Sequence, residues 1–226
     1  MRTGEGLLLE LYYETDQAAA WILCPPELTP APGQYLLAHD GSDSPLPVPI
    51  FPAASTADGF LAAPPLPAVW TPGTRLYLRG PLGHGFTLPA SSRRVALLAW
   101  DDSPARLLSL LPSALAQGAE LALVSASSPR ELPAEVEVHP LAVLEEVCQW
   151  TDFLAADVGR ESLPELLIRL GVREQFEVKY EAQVLIRTDM PCGALAECGV
   201  CAVRFRHAWK MACKDGPVFD LKELGI

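Results

Sequence analysis

The sequence predicts a multidomain α+β chain. An N-terminal antiparallel β-barrel covers residues 1–90, an α/β domain with a parallel sheet covers 91–175, and a small cysteine-bearing domain covers 176–226. Three observations predict it. Short apolar stretches divided by turn residues fill the first third, which holds most of the 22 prolines. Apolar runs of strand length alternate with helix-like runs in the middle, the pattern of a sheet with helical crossovers. Four of the six cysteines fall between Cys192 and Cys213.

The totals bound what the chain does. Half of its 226 residues are hydrophobic, enough for a sizeable core. A net charge of −11 argues against a nucleic-acid binder, which needs a basic field. Apolar runs such as Val95–Trp100 are too short to span a bilayer. Met-Arg-Thr-Gly-Glu-Gly at the start is not followed by a signal-type apolar region, so a cytoplasmic, reducing setting is expected. Cys24 and Cys148 stand alone and read as small buried hydrophobes.

In the first third, Leu7–Tyr13 reads as a strand and Ala18–Leu23 as its return. Thr29–Gly33 is a turn feeding a strand through Ala38, and Phe60–Ala62 and Arg75–Arg79 follow. Proline cannot donate to a sheet ladder, so these strands must be short and broken by rigid turns. Closure into a small barrel accounts for such a series.

In the middle third, Arg94–Trp100 has the composition of a buried strand. Ser103-Pro104 opens a helix that runs to Leu115, kinked or split by Pro112 and ended at Gln117-Gly118. Glu120–Val124, Val136–His139 and Asp152–Ala156 read as strands. Pro140–Trp150 and Ser162–Leu170 read as helices, the latter capped by Ser162 and ended by Gly171. Asp101 and Asp102, at the helix start, read as partners of its N-terminal dipole rather than as a metal site.

In the last third, Phe176–Tyr180 and Ala182–Arg187 alternate as strands and lead into the cysteines. Cys192, Cys198, Cys201 and Cys213 are spaced C-x5-C-x2-C-x11-C. Three thiolates on one loop and a fourth beyond it is how plant-type [2Fe–2S] clusters are held. Glycines after Cys192 and Cys198 permit the positive φ angles that turn amides towards cluster sulfides. Three readings compete: a four-cysteine zinc site, which would more naturally show two C-x2-C knuckles; two disulfides; and four unrelated buried cysteines. Arg204, Arg206, Lys210 and Lys214 add local positive charge, as a solvated face or a docking face. Trp209 reads as core packing, with shielding of the cluster as its other role.

The segment Met190-Pro-Cys192-Gly … Cys198-Gly-Val-Cys201 … Cys213-Lys-Asp-Gly-Pro-Val-Phe219 resembles the cluster domain of the electron-transfer subunit of dihydroorotate dehydrogenase B. Five residues lie between its first two cysteines where the usual loop has four. Pro32-Gly-Gln-Tyr35 and Gly80-Pro-Leu-Gly-His-Gly-Phe86 resemble phrases of the wider ferredoxin-reductase-like superfamily. The resemblance implies a ferredoxin-reductase-like barrel, a nucleotide-fold domain and a cluster held by Cys192, Cys198, Cys201 and Cys213. It also implies a heteromeric complex with a flavoprotein catalytic subunit, in the service of pyrimidine biosynthesis.

It further implies FAD on the barrel, with Gly80, Pro81, Leu82 and Gly83 as candidate contacts. At the family's Arg-x-[Tyr/Phe/Ile]-Ser anchor, however, Val48 stands at the Arg place and Phe51 at the Ser place. An aliphatic group cannot compensate phosphate charge, so a flavin-bearing barrel and a proline-stiffened one without flavin both stay open. The family's glycine-rich NAD(P)H loop is replaced by Trp100-Asp101-Asp102-Ser103, and Ala156-Asp157-Val158 stands at its later Cys-Gly-Pro. Close approach and charge tolerance are both lost, which argues against NAD(P)H. No residue set for transforming a small substrate is evident. The function expected is relay of single electrons to or from a flavoprotein. The alternatives are a scaffold subunit with a structural cluster and an intact FAD- and NAD-linked reductase.

Overall fold

Short strands and turns build the first layer of the structure, a computed structural model that describes residues 1–14, 17–44, 46–127, 129, 132–171 and 180–225. Seven strands form one antiparallel sheet: β1 (Arg2–Glu14), β2 (Gln17–Leu23), β3 (Tyr35–His39), β4 (Val48–Ile50), β5 (Pro52–Thr56), β6 (Gly59–Ala62) and β7 (Arg75–Leu82). Their order is β4-β3-β7-β1-β2-β6-β5. The edge strands β4 and β5 are separated in sequence by Phe51 alone, so the sheet has to curl into a half-barrel. Proline falls in these two edge strands, where a missing N–H costs no ladder bond. The concave side buries Leu8, Ile22, Leu36, Phe60 and Leu76. The barrel expectation is met as this curled sheet.

The second layer is a six-stranded sheet ordered β10-β9-β8-β11-β12-β15. Its strands are β8 (Arg94–Ala99), β9 (Glu120–Ser125), β10 (Val136–His139), β11 (Phe153–Gly159), β12 (Glu181–Arg187) and β15 (Val218–Asp220). The first five pair in parallel, and β15 runs antiparallel to β12. In β8, Val95 to Ala99 are buried on both faces, which is why the run reads as continuously apolar.

Helices α1 (Ala105–Leu108), α2 (Leu111–Ala116), α3 (Leu144–Trp150) and α4 (Leu163–Arg169) cover this sheet. The helix expected after Ser103, kinked or split by Pro112, is split into two short ones. Pro112 occupies the first turn of α2, where its missing N–H is harmless, and its ring excludes helical continuity with the Leu108 carbonyl four residues back. Ser109 Oγ donates to the freed Arg106 carbonyl at 3.0 Å. Ser162 stands at the N-cap of α4 as expected, but its side chain makes no capping bond. Gly171 closes that helix at φ +71°.

The sheet runs across residue 176, where the sequence suggests a domain boundary. Strand β12 pairs with β11, and β15 pairs with β12 at Leu185↔Val218. The cysteine segment is therefore a lobe inserted between two adjacent strands. It contains the hairpin β13 (Ala202–Arg204) with β14 (Trp209–Met211) and the single turn α5 (Ala212–Asp215). The strand expected at Phe176–Tyr180 lies, save for Tyr180, outside the described residues.

Candidate metal centre

The lobe's chain path is set by backbone conformations that few residues adopt. Gly193 has φ +48° and Gly199 φ +75°, as the glycines after Cys192 and Cys198 lead one to expect. Ala194 shares the left-handed region at φ +68°. The residue added between the first two cysteines is thus accommodated by two consecutive left-handed positions.

These turns bring the four sulfurs together in pairs. Cys192 Sγ lies 3.5 Å from Cys198 Sγ, and Cys201 Sγ 3.2 Å from Cys213 Sγ. Two thiolates on one tetrahedral metal, with metal–sulfur bonds of about 2.3 Å, lie about 3.8 Å apart. Each pair is close to that spacing. Among the described residues no three His, Cys, Asp or Glu side chains converge on a single-ion position. A lone zinc with four thiolates needs that convergence, whereas two irons with two thiolates each do not. All six cysteines are free thiols.

The pairs differ in environment. Cys201 and Cys213 are 1% and 3% exposed, whereas Cys192 is half-buried and Cys198 exposed. Burial, reinforced by the Cys201 hydrogen bond and charge, pushes the Cys213 thiol up to about 12. Burial would raise Cys192 too. There, hydrogen bonds from the backbone at Ala196, the Cys198 side chain and the backbone at Ala194 and Cys198 win and bring it down to about 7. Donors that favour a thiolate at Cys192 also suit an anionic cluster.

The curled sheet grips this lobe. Tyr35 Oη donates to the Cys213 carbonyl at 3.1 Å, and Arg79 donates to the Cys192 carbonyl at 2.9 Å. Arg160 donates to the Val200 carbonyl at 2.5 Å, between the second and third cysteines. Sequence reasoning passed over Arg79 and Arg160. Arg79 follows the alternation of β7 on its polar phase, so no local signal set it apart.

Gly80, Pro81, Leu82 and Gly83, the candidate flavin contacts, are not among the residues lining the cleft between barrel and α/β domain. Gly80 packs within the barrel sheet against Leu36 and the Tyr35 carbonyl, and Gly83 faces the lobe. A Cβ on Gly83 would stand 2.5 Å from both the Gly216 carbonyl and Pro217. His84, exposed on the same turn, donates its backbone N–H to the Gly216 carbonyl at 2.7 Å. The Gly83→Ala protein, with φ +75° at this contact, is expected to lose about 1–3 kcal/mol of stability and part of its iron. Thermal unfolding and iron assay against wild type check this.

Trp209 is 65% exposed on β14 and so packs in no core, contrary to the sequence reading. Its hairpin partner Arg204 is exposed beside it. Lys210 is held by Glu223 at 2.6 Å and lies over the Phe205 ring.

The interdomain cleft, about 570 Å³, is lined on one side by Val48, Pro49 and Phe51 and on the other by Asp101, Asp102 and Arg106. The Phe51 ring is buried against Tyr35, with centroids 5.8 Å apart. At the anchor stretch, then, no cation faces the cleft. Asp101 and Asp102 are not simple helix-dipole partners, because α1 is a single turn and both carboxylates reach guanidinium groups.

Comparison with known proteins agrees with this architecture. Residues 188–225 match the family described as the iron-sulfur cluster binding domain of dihydroorotate dehydrogenase B. A relative from Clostridium perfringens (strain 13 / Type A), the dihydroorotate dehydrogenase B (NAD(+)) electron transfer subunit, is 23% identical over 170 residues. That match covers 66% of this chain and 65% of the relative, just under two thirds of its length. Among solved structures, the NADH-dependent reduced ferredoxin-NADP oxidoreductase superimposes with a TM-score of 0.75 at 18% identity, over 96% of this chain and 88% of that one. The ferredoxin reductase of carbazole 1,9a-dioxygenase gives 0.59 at 14% identity, over 75% and 63%. The fold is therefore ferredoxin-reductase-like.

Proposed function

From a C-terminal lobe that matches the iron–sulfur cluster binding domain of dihydroorotate dehydrogenase B, set on a ferredoxin-reductase-like fold, we propose that the chain is an electron-transfer subunit. It carries a [2Fe–2S] cluster and relays single electrons to or from a flavoprotein partner. The observation that carries the reading is the arrangement of four thiols as two metal-spaced pairs. Cys192 with Cys198 would hold one iron, and Cys201 with Cys213 the other. Such a cluster supplies one-electron oxidation and reduction when bound.

The chain's own residues do the rest. Tyr35 and Arg79 fix the backbone at the first and last cysteines. Burial of Cys201 and Cys213 keeps water from the inner pair. The exposed Cys198 side is the edge that a partner's redox centre can approach. The partner's chemistry follows from the relative: a flavoprotein that oxidises dihydroorotate, in pyrimidine biosynthesis. No step is assigned to a flavin on this chain, since Val48 and Phe51 offer no charge to a pyrophosphate.

The test is anaerobic purification with iron and sulfide assay, followed by potentiometric EPR. About two irons and two sulfides per chain, and a signal that appears on one-electron reduction, are expected. Colourless, zinc-bearing protein would end the proposal. A cluster that no physiological donor reduces would leave the chain a scaffold.

A further inference from the structure

In open α/β sheets, ligands bind in the crevice beyond the carboxyl ends of the strands, where free amides and cations meet phosphate. That crevice here is the cleft beyond β8 and β11. Asp101 and Asp102 enter it from the end of β8, and Asp157 on β11, 1% exposed, binds the same guanidinium groups from within the protein.

The amides and guanidinium groups beside these carboxylates are already engaged, and the unpartnered donor on the cleft wall is the neutral Thr188 hydroxyl. Asp101 accepts from the Gly159 amide at 3.1 Å, and Asp102 accepts from the Ser103 amide at 2.8 Å. Pro104 has no N–H to offer. The guanidinium of Arg106, 4% exposed, donates to Asp157 at 3.2 Å, to Asp102 at 2.9 Å and across the domain boundary to the Pro64 carbonyl at 2.9 Å. Arg187 donates to Asp157 at 2.7 Å, pairs with Asp102 at 3.4 Å and also binds Asp101. Burial opposes its charge, but Asp157, Asp101 and Asp102 outweigh that and hold it protonated more firmly than usual.

We infer that Asp101 and Asp102 are a built-in stand-in for a pyrophosphate. They occupy the amides and guanidinium groups that a pyridine dinucleotide would use, so the chain exchanges electrons with protein-borne centres and not with NADH or NADPH. Three carboxylates meet two guanidinium groups in this network, so it carries surplus negative charge before any ligand arrives. An incoming pyrophosphate would add like charge and meet no unengaged cation among these two. The statement about electron exchange rests on the relay proposed above; the statement about the cleft does not.

The test uses the cluster-loaded full chain. Calorimetric titration with NADH, NADPH and inorganic pyrophosphate at millimolar concentration is expected to show no saturable binding, and NADH alone is expected not to bleach the cluster absorbance. Saturable binding of any of the three to wild type overturns the inference, whatever the variants do. In the double variant Asp101→Asn, Asp102→Asn, the released guanidinium groups are expected to bind inorganic pyrophosphate at least about tenfold more tightly than wild type. The single variant Asp102→Asn, which keeps Asp101 on Arg187, should show a smaller gain in the same direction. Folded variants, judged by circular dichroism, that remain indifferent to pyrophosphate overturn it as well. Iron content and the EPR signal report on the relay separately, so a failed cluster and a failed cleft cannot be confused.

Discussion

Cys201→Ser protein is expected to fold and to lose the cluster. Cys201 is 1% exposed, and its sulfur faces that of Cys213 at 3.2 Å. A serine oxygen is a harder, poorer ligand for iron, and its buried hydroxyl has no sulfur-bridged metal to satisfy it. Iron per chain should fall to about a tenth of wild type or less, with visible absorbance and EPR signal lost together. Far-UV circular dichroism should change little, because neither layered sheet depends on the thiolate. Cys148→Ser, a change in the α/β core margin, should keep its iron. If Cys201→Ser retains wild-type iron and EPR signal, the quartet assigned here is wrong.

The second large effect concerns stability. Asp157 is 1% exposed and is flanked by Arg106 and Arg187. Asp157→Asn removes the charge that both guanidinium groups share and leaves Arg106 buried with less compensation. Breaking a buried ion pair from one side costs about 3–5 kcal/mol. For a chain of 226 residues this corresponds to a fall in Tm on the order of 10 °C. Arg169→Ala, which breaks an exposed pair with Glu145, should leave Tm within error of wild type. Equal melting of the Asp157 and Arg169 variants would mean that the buried network contributes nothing beyond a surface pair.

The sequence was legible wherever local pattern decides the outcome. The apolar run of β8 and the turn glycines are local, and the strand and the positive φ angles they predict are present. Proline at 112 was read as kinking or splitting its helix, and the split is what is found. What could not be read was which distant groups meet. Arg106 and Asp157 are 51 residues apart, and Arg187 and Asp101 are 86 apart. A signal existed: Asp157 interrupts the apolar run of β11 and Arg106 lies among leucines, and a charge in such a place demands a partner. The Gly80–Gly83 phrase was expected as a turn, whereas Gly80 to Leu82 end β7 and Gly83 leaves the strand at φ +75°; local sequence does not say what such a strand end packs against. Trp209 was misplaced for the same reason, since a short hairpin can expose a residue that composition would bury.

The lobe's two ends leave from neighbouring strands, stitched by Leu185↔Val218 and by the bond from the Ile186 amide to the Pro217 carbonyl at 2.9 Å. Closing a long loop costs entropy, and sheet pairing at its base offsets part of that cost without any metal ligand. Biosynthesis of the holoprotein can therefore proceed in two stages. The apo chain is expected to fold first and to take up its cluster in an already shaped receptacle.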